Sequence, residues 1–190
     1  VPFRITKYHG RTGVLGVSPN FNKVPHDWGT QGVDQLKAHE INIDIKPPYR
    51  GRLTQKWLRE IVDITLSIQK INRPVELSLL ITGDDEVHRL NREYRGVDAT
   101  TDVISFALSE NKDDTKFVTP PDRISRLGEV IISYPQAASQ AKENKQTIKA
   151  ELAWLGVHGL LHLLGYDHQD DKSEAAMRKR EDKILKEIKV

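Results

Sequence analysis

The chain has 190 residues, of which 37% are hydrophobic and 29% charged, with a formal net charge of +2; this is the composition of a globular domain with a genuine core, not of a disordered tail. It contains no cysteine, which excludes disulfides and thiolate metal sites and leaves histidine and carboxylate as the ligands for any metal. No stretch approaches the roughly 18 apolar residues of a membrane span, and no block of lysine and arginine stands out, so no membrane partner and a reducing cytoplasmic location are expected.

Residues 1–40 hold five of the twelve glycines, three prolines and little periodicity, which predicts an irregular N-terminal extension. The pattern changes at EINIDIK, where Ile41, Ile43 and Ile45 alternate with polar residues as in a half-buried strand, and the main domain is expected over 41–190. Thr54 is placed to cap a helix carrying Trp57, Leu58, Ile61, Leu66 and Ile68, which ends before Pro74. VELSLLI, residues 75–81, predicts a buried strand. DDEVHRLNREYRG opens with acids suited to a helix N-terminus, sets Val87, Leu90 and Tyr94 on one face and stops at Gly96.

DVISFAL and LGEVIIS predict two further strands, separated by a polar loop containing Pro120 and Pro121. Residues 135–145 and 147–164 read as helices, and the final helix directs Met177, Ile184, Leu185 and Ile188 inward while Arg178, Lys179 and Arg180 form a solvated face. Four strands with helices before, between and after them predict an α+β or α/β sandwich around a small mixed sheet, with strand order left open.

The chemistry concentrates in HGLLHLLGYDH, residues 158–168, which holds three of the seven histidines. Four residues apart on a helix, His158 and His162 project from one face and can share a cation at roughly 2 Å. Were the helix to run on, His168 would lie roughly 15 Å along the axis from His158. Gly165 is placed to stop the helix and turn the chain back, which would return a third imidazole to the same ion. Three neutral imidazoles with a fourth position open describe a catalytic site better than a structural one, and suit zinc, nickel, copper or iron.

The same spacing of histidines and glycine occurs in the metzincin proteases, where a glutamate after the first histidine is the general base. Here that position is Gly159, which has no side chain to accept a proton. Asp167 offers either a substitute base or a turn residue that steadies His168.

HGLLHLLGYDH also resembles the signature of the YbeY family of metal-dependent endoribonucleases. LNREYRGVDATTDVISFAL, residues 90–108, is similar to a second family segment, with Ala99 and Thr100 where a Lys-Pro pair is usual. LGEVIIS resembles the strand that follows, with Glu129 at a usually acidic position, and the similarity runs from about residue 41 to 190.

The resemblance implies a single αβα-type domain of the α+β class and one divalent, zinc-like ion, with nickel as the alternative, on His158, His162 and His168. It implies a catalytic role for Arg95, which the sequence alone allows to be a solvated surface arginine. It also implies a single-stranded RNA substrate, above all the 3′ end of precursor small-subunit ribosomal RNA, and ribosomal assembly proteins as partners. Asp102 and Ser105, on or beside a strand, are expected in ladder or turn roles at the edge of the cleft. Two other readings stand beside this one: a metallopeptidase using the same histidine spacing, and an assembly factor whose metal is structural.

Overall fold

In the computed structural model, residues 39–108, 124–166 and 170–190 are described. Four strands, β1 (Glu40–Ile45), β2 (Val75–Thr82), β3 (Val103–Ala107) and β4 (Ser125–Ser133), form one sheet in the order β1-β2-β4-β3. β1 and β2 pair in parallel, as do β2 and β4, and β3 runs antiparallel along β4. Five helices accompany them: α1 (Gln55–Ile68), α2 (Asp84–Arg95), α3 (Tyr134–Glu143), α4 (Ile148–Leu163) and α5 (Asp171–Leu185). The expected α+β class and the αβα layering are both present.

Alternation along the strands sorts the layers. Leu77, Leu79, Ile81, Val130 and Ile132 face the principal core, which they share with Leu58, Ile61 and Leu66 of α1 and Leu152, Leu155, Leu160 and Leu161 of α4. Ile104 and Ile131 face the other way and pack on Val87 and Leu90 of α2. The sheet is therefore covered on both faces, with α4 lying against it on the larger side. Burying a leucine stabilises by about 1.5–3 kcal/mol, so the leucines of α4 anchor the segment that carries the histidines.

Local signals set the helix boundaries. Thr54 caps α1 by accepting from the Trp57 amide at 3.2 Å, as expected, and Thr147 caps α4 by accepting from Ala150 at 3.1 Å. Asp170 and Ser173 form a reciprocal capping box at the start of α5. Tyr94 shares the face of Val87 and Leu90, as expected, and meets Phe106 edge-on with ring centroids 5.1 Å apart, although it stays 53% exposed.

Candidate metal centre

α4 is apolar nearly all round because it is buried nearly all round: from Glu151 to Leu163 every residue except Trp154 is buried. His158 and His162 thus lie inside the protein, at 7% and 5% exposure. Their Nε2 atoms approach to 3.1 Å. Nitrogens that close are joined by a proton or by a shared cation. Two ligands bonded at 2.0–2.1 Å to one tetrahedral ion stand about 3.3 Å apart, so the spacing and the donor chemistry fit a zinc-like ion.

The other nitrogen of the first ring is also engaged. His158 Nδ1 lies 2.8 Å from Oε1 of Glu181, a buried carboxylate on α5. The Trp154 ring stacks on the same imidazole with centroids 5.1 Å apart. One turn of α4 and one residue of α5 therefore fix the orientation of His158.

Gly159 faces the sheet. A β-carbon there would fall 2.5 Å from Val130 Cγ1 and 3.1 Å from Ser105 Oγ, while the Ser105 hydroxyl donates to the Gly159 carbonyl at 3.2 Å. The residue after the first histidine is glycine because the helix backbone lies directly against the Val130 and Ser105 side chains of the sheet. A carboxylate at this position would have to occupy the space of Val130.

α4 ends as expected. Gly165 has φ +86°, its amide donates to the His162 carbonyl at 2.9 Å, and the Tyr166 amide donates to the Leu161 carbonyl at 3.0 Å. These are the paired bonds of a Schellman motif. Tyr166, the first residue past the reversal, is held twice: its hydroxyl donates to Gln69 Oε1 at 3.0 Å, and Arg180 lies over its ring at 4.6 Å. Arg180 is thus an inward contact and not part of the solvated face expected for it, whereas Arg178 and Lys179 are exposed. Asp167 and His168 lie outside the described residues.

Arg95 closes the last turn of α2 and is half-buried. Burial draws its pKa below the ordinary arginine value, and the charge of Asp102 opposes that shift. Asp102 is buried at the start of β3, where its carboxylate accepts from the Val103 amide at 2.8 Å and from Gln140 at 3.0 Å. Three residues on, Ser105 makes the contact with Gly159 on α4. β3 therefore links the surroundings of the arginine to the helix of the histidines.

Glu151, buried at the start of α4, carries a pKa raised by burial; the side chains of Gln146 and Asn144, which both hydrogen-bond to it, counter that rise in part, and the charge of Asp102 adds to it. Glu129 points to the opposite sheet face, into a groove of about 410 Å³ beside Tyr94 and Phe106. Its pKa is raised by burial and by the charge of Glu86.

Glu181, Trp154 and Tyr166 were given no contact by sequence reasoning, and Arg180 was assigned to the solvated face. One signal was available: Met177, Glu181, Ile184 and Ile188 follow a helical spacing, so an acid interrupts an otherwise apolar stripe. An acid that shares a buried stripe requires a partner.

Known proteins are similar to this chain in sequence and fold. Residues 41–189 match the family model described as Endoribonuclease YbeY. A Dehalococcoides mccartyi protein named Endoribonuclease YbeY is 44% identical over 155 residues, spanning 79% of this chain and 93% of the relative. A Roseiflexus protein of the same name is 45% identical, over 78% and 92% respectively. The solution structure of TM1509 from Thermotoga maritima superposes with a TM-score of 0.53 at 27% identity, covering 78% of this chain and 88% of that one. The chain, with its paired imidazoles on a buried helix and the glycine between them, belongs to the YbeY endoribonuclease family.

Proposed function

We propose that this protein is a metal-dependent endoribonuclease that cuts single-stranded RNA in the cytoplasm, acting on the 3′ end of precursor small-subunit ribosomal RNA alongside ribosomal assembly proteins. The observation that carries the reading is the 3.1 Å approach of the His158 and His162 Nε2 atoms on a buried helix, in a chain whose relatives are named endoribonucleases. His158 and His162, with His168 as the third ligand, would hold one divalent ion, zinc in the first instance and nickel as the alternative. Such an ion supplies Lewis acidity to a phosphodiester.

The chain's own residues would bind and orient the phosphodiester. Arg95 offers a planar fork of donors that grips a phosphate through two oxygens and favours the charge that builds on them during cleavage. Its half-burial reduces competition from water, and the nearby Asp102 charge favours the cationic form. Position 159 contributes no proton acceptor. The metallopeptidase reading loses ground for the same reason, since its base belongs where Val130 already sits. No helix among the described residues is long and apolar enough to cross a membrane.

Elemental analysis of the purified full chain, followed by cleavage of single- and double-stranded RNA oligonucleotides, tests the proposal. Bound metal and preference for the single strand are expected in the wild type, a loss on the order of 10²-fold in Arg95→Ala, and loss of both metal and cleavage in His162→Ala. Equal activity in all three proteins would trace the cleavage to a contaminating nuclease and overturn the assignment.

A further inference from the structure

His158 and His162 both stand on α4, yet the carboxylate that meets the first of them comes from α5. Glu181 and His158 are 23 positions apart, both buried, and joined at 2.8 Å through Nδ1. The next residue back, Arg180, covers the ring of Tyr166 at the reversal that follows α4. α5 therefore holds α4 at His158 and the turn beyond it at Tyr166 from two consecutive positions, while Met177 and Ile184 seat it in the principal core.

We infer that Glu181 is a positioning residue for the metal centre, holding His158 in the Nδ1–H tautomer so that Nε2 presents a lone pair to the ion, and that ion binding and docking of α5 thereby strengthen each other. This rests on the reading of His158 and His162 as ligands. A neutral imidazole has one N–H and one lone pair. A carboxylate accepts but does not donate, so its place beside Nδ1 puts the proton there and leaves Nε2 bare on the side of His162. An imidazole without that acceptor divides between two tautomers and two ring orientations, and only one combination ligates. Coupling is reciprocal by linkage: if Glu181 tightens ion binding, the ion tightens the contact through which α5 is held.

The full-length chain is the material for the test, as wild type, Glu181→Ala, Glu181→Leu and Glu181→Gln. Leucine fills much of the same buried space and keeps α5 seated while removing the acceptor; glutamine keeps a carbonyl oxygen for Nδ1–H. Zinc affinity is measured by competition with a chromophoric chelator, amide exchange of α5 with and without zinc, and the His158 tautomer by imidazole ¹⁵N shifts. The expectation is a loss of about 10- to 100-fold in zinc affinity for the alanine and leucine variants, a mixed tautomer in both, and recovery of most of the affinity by glutamine. Zinc should slow α5 exchange in the wild type and lose that effect in the leucine variant.

Should the alanine variant fail to fold, the leucine variant decides alone. A leucine variant that keeps α5 protected and binds zinc as the wild type does would reduce Glu181 to a packing contact and overturn the inference. A wild type that binds no zinc would instead remove the metal reading on which it stands, and the inference with it.

Discussion

Gly159→Ala gives the sharpest test of how α4 is seated, because two opposing effects can be weighed. In a helix interior alanine is favoured over glycine by about 1 kcal/mol, so at a site with open space the substitution stabilises. Here the new β-carbon would lie 2.5 Å from Val130 Cγ1 and 3.2 Å from Cγ2. Ordinary carbon contacts are about 3.5–4.0 Å, so something must yield by about 1 Å. Val130 is fully buried and β-branched, with restricted rotamers, and Ser105 is tied to the Gly159 carbonyl.

The remaining relief is for α4 to lift from the sheet, which stretches that bond and forfeits packing. Overpacking of this kind costs about 1–3 kcal/mol. Against the propensity gain, a net destabilisation of about 0–2 kcal/mol, centred near 1, is expected. Urea unfolding of Gly159→Ala, Val130→Ala and the double variant measures it. In the Val130→Ala background the obstructing methyls are gone and the alanine should be neutral or stabilising, giving a coupling of about 2 kcal/mol. A cycle with no coupling would refute the claim that glycine is required by contact with β4.

Two further outcomes follow from other positions. Gly165→Ala places a β-carbon on a residue at φ +86°; the left-handed region costs a non-glycine residue about 1–2 kcal/mol, partly offset by a stiffer unfolded chain, so a drop of about 1 kcal/mol in urea unfolding is expected, and no drop would argue that the turn relaxes freely. Burial raises the pKa of Glu151, so the native state holds that proton more tightly than the unfolded chain does, and stability falls as pH rises from the unfolded value through the raised native one. Glu151→Gln should remove this decline, visible as a flatter Tm profile as pH rises from the ordinary glutamate range, whereas identical slopes in both proteins would show that Glu151 contributes nothing to it.

Much of this architecture was legible because single residues carried unambiguous local instructions. Thr54 before an apolar periodic run, Gly96 after α2 and Gly165 after α4 all end or begin helices where their chemistry directs. Four-residue spacing was enough to bring His158 and His162 together. Strand order was not legible, since insertion of β4 between β2 and β3 depends on pairings remote in sequence. The partners of the histidines were hidden for the same reason. Glu181 meets His158 across two helices, and nothing in HGLLHLLGYDH indicates which acid does so. Arg180 was misread because a basic run was treated as one solvated face, although a helix turns neighbouring side chains by about 100° and sends one of the three toward Tyr166.

The glycine at position 159 illustrates how one residue serves both fold and chemistry. Read as sequence, it removes a base; read in space, it lets α4 approach β3 and β4 until backbone and Ser105 hydroxyl touch. That approach has a consequence for Arg95. The arginine reaches the histidines' surroundings through Asp102 and β3, and among the described residues β3 is an edge strand, paired along one side. An edge strand held by a single ladder is the element of a sheet most free to shift, and the Ser105 contact ties it to the buried helix that presents the imidazoles. On the proposed reading, a phosphate gripped by Arg95 and a cation held by His158 and His162 would have to keep a fixed separation for both to act on one ester, because misplacement by about 1 Å costs on the order of 10²-fold in rate. Close packing at Gly159 would then help to hold β3 and α4 in register.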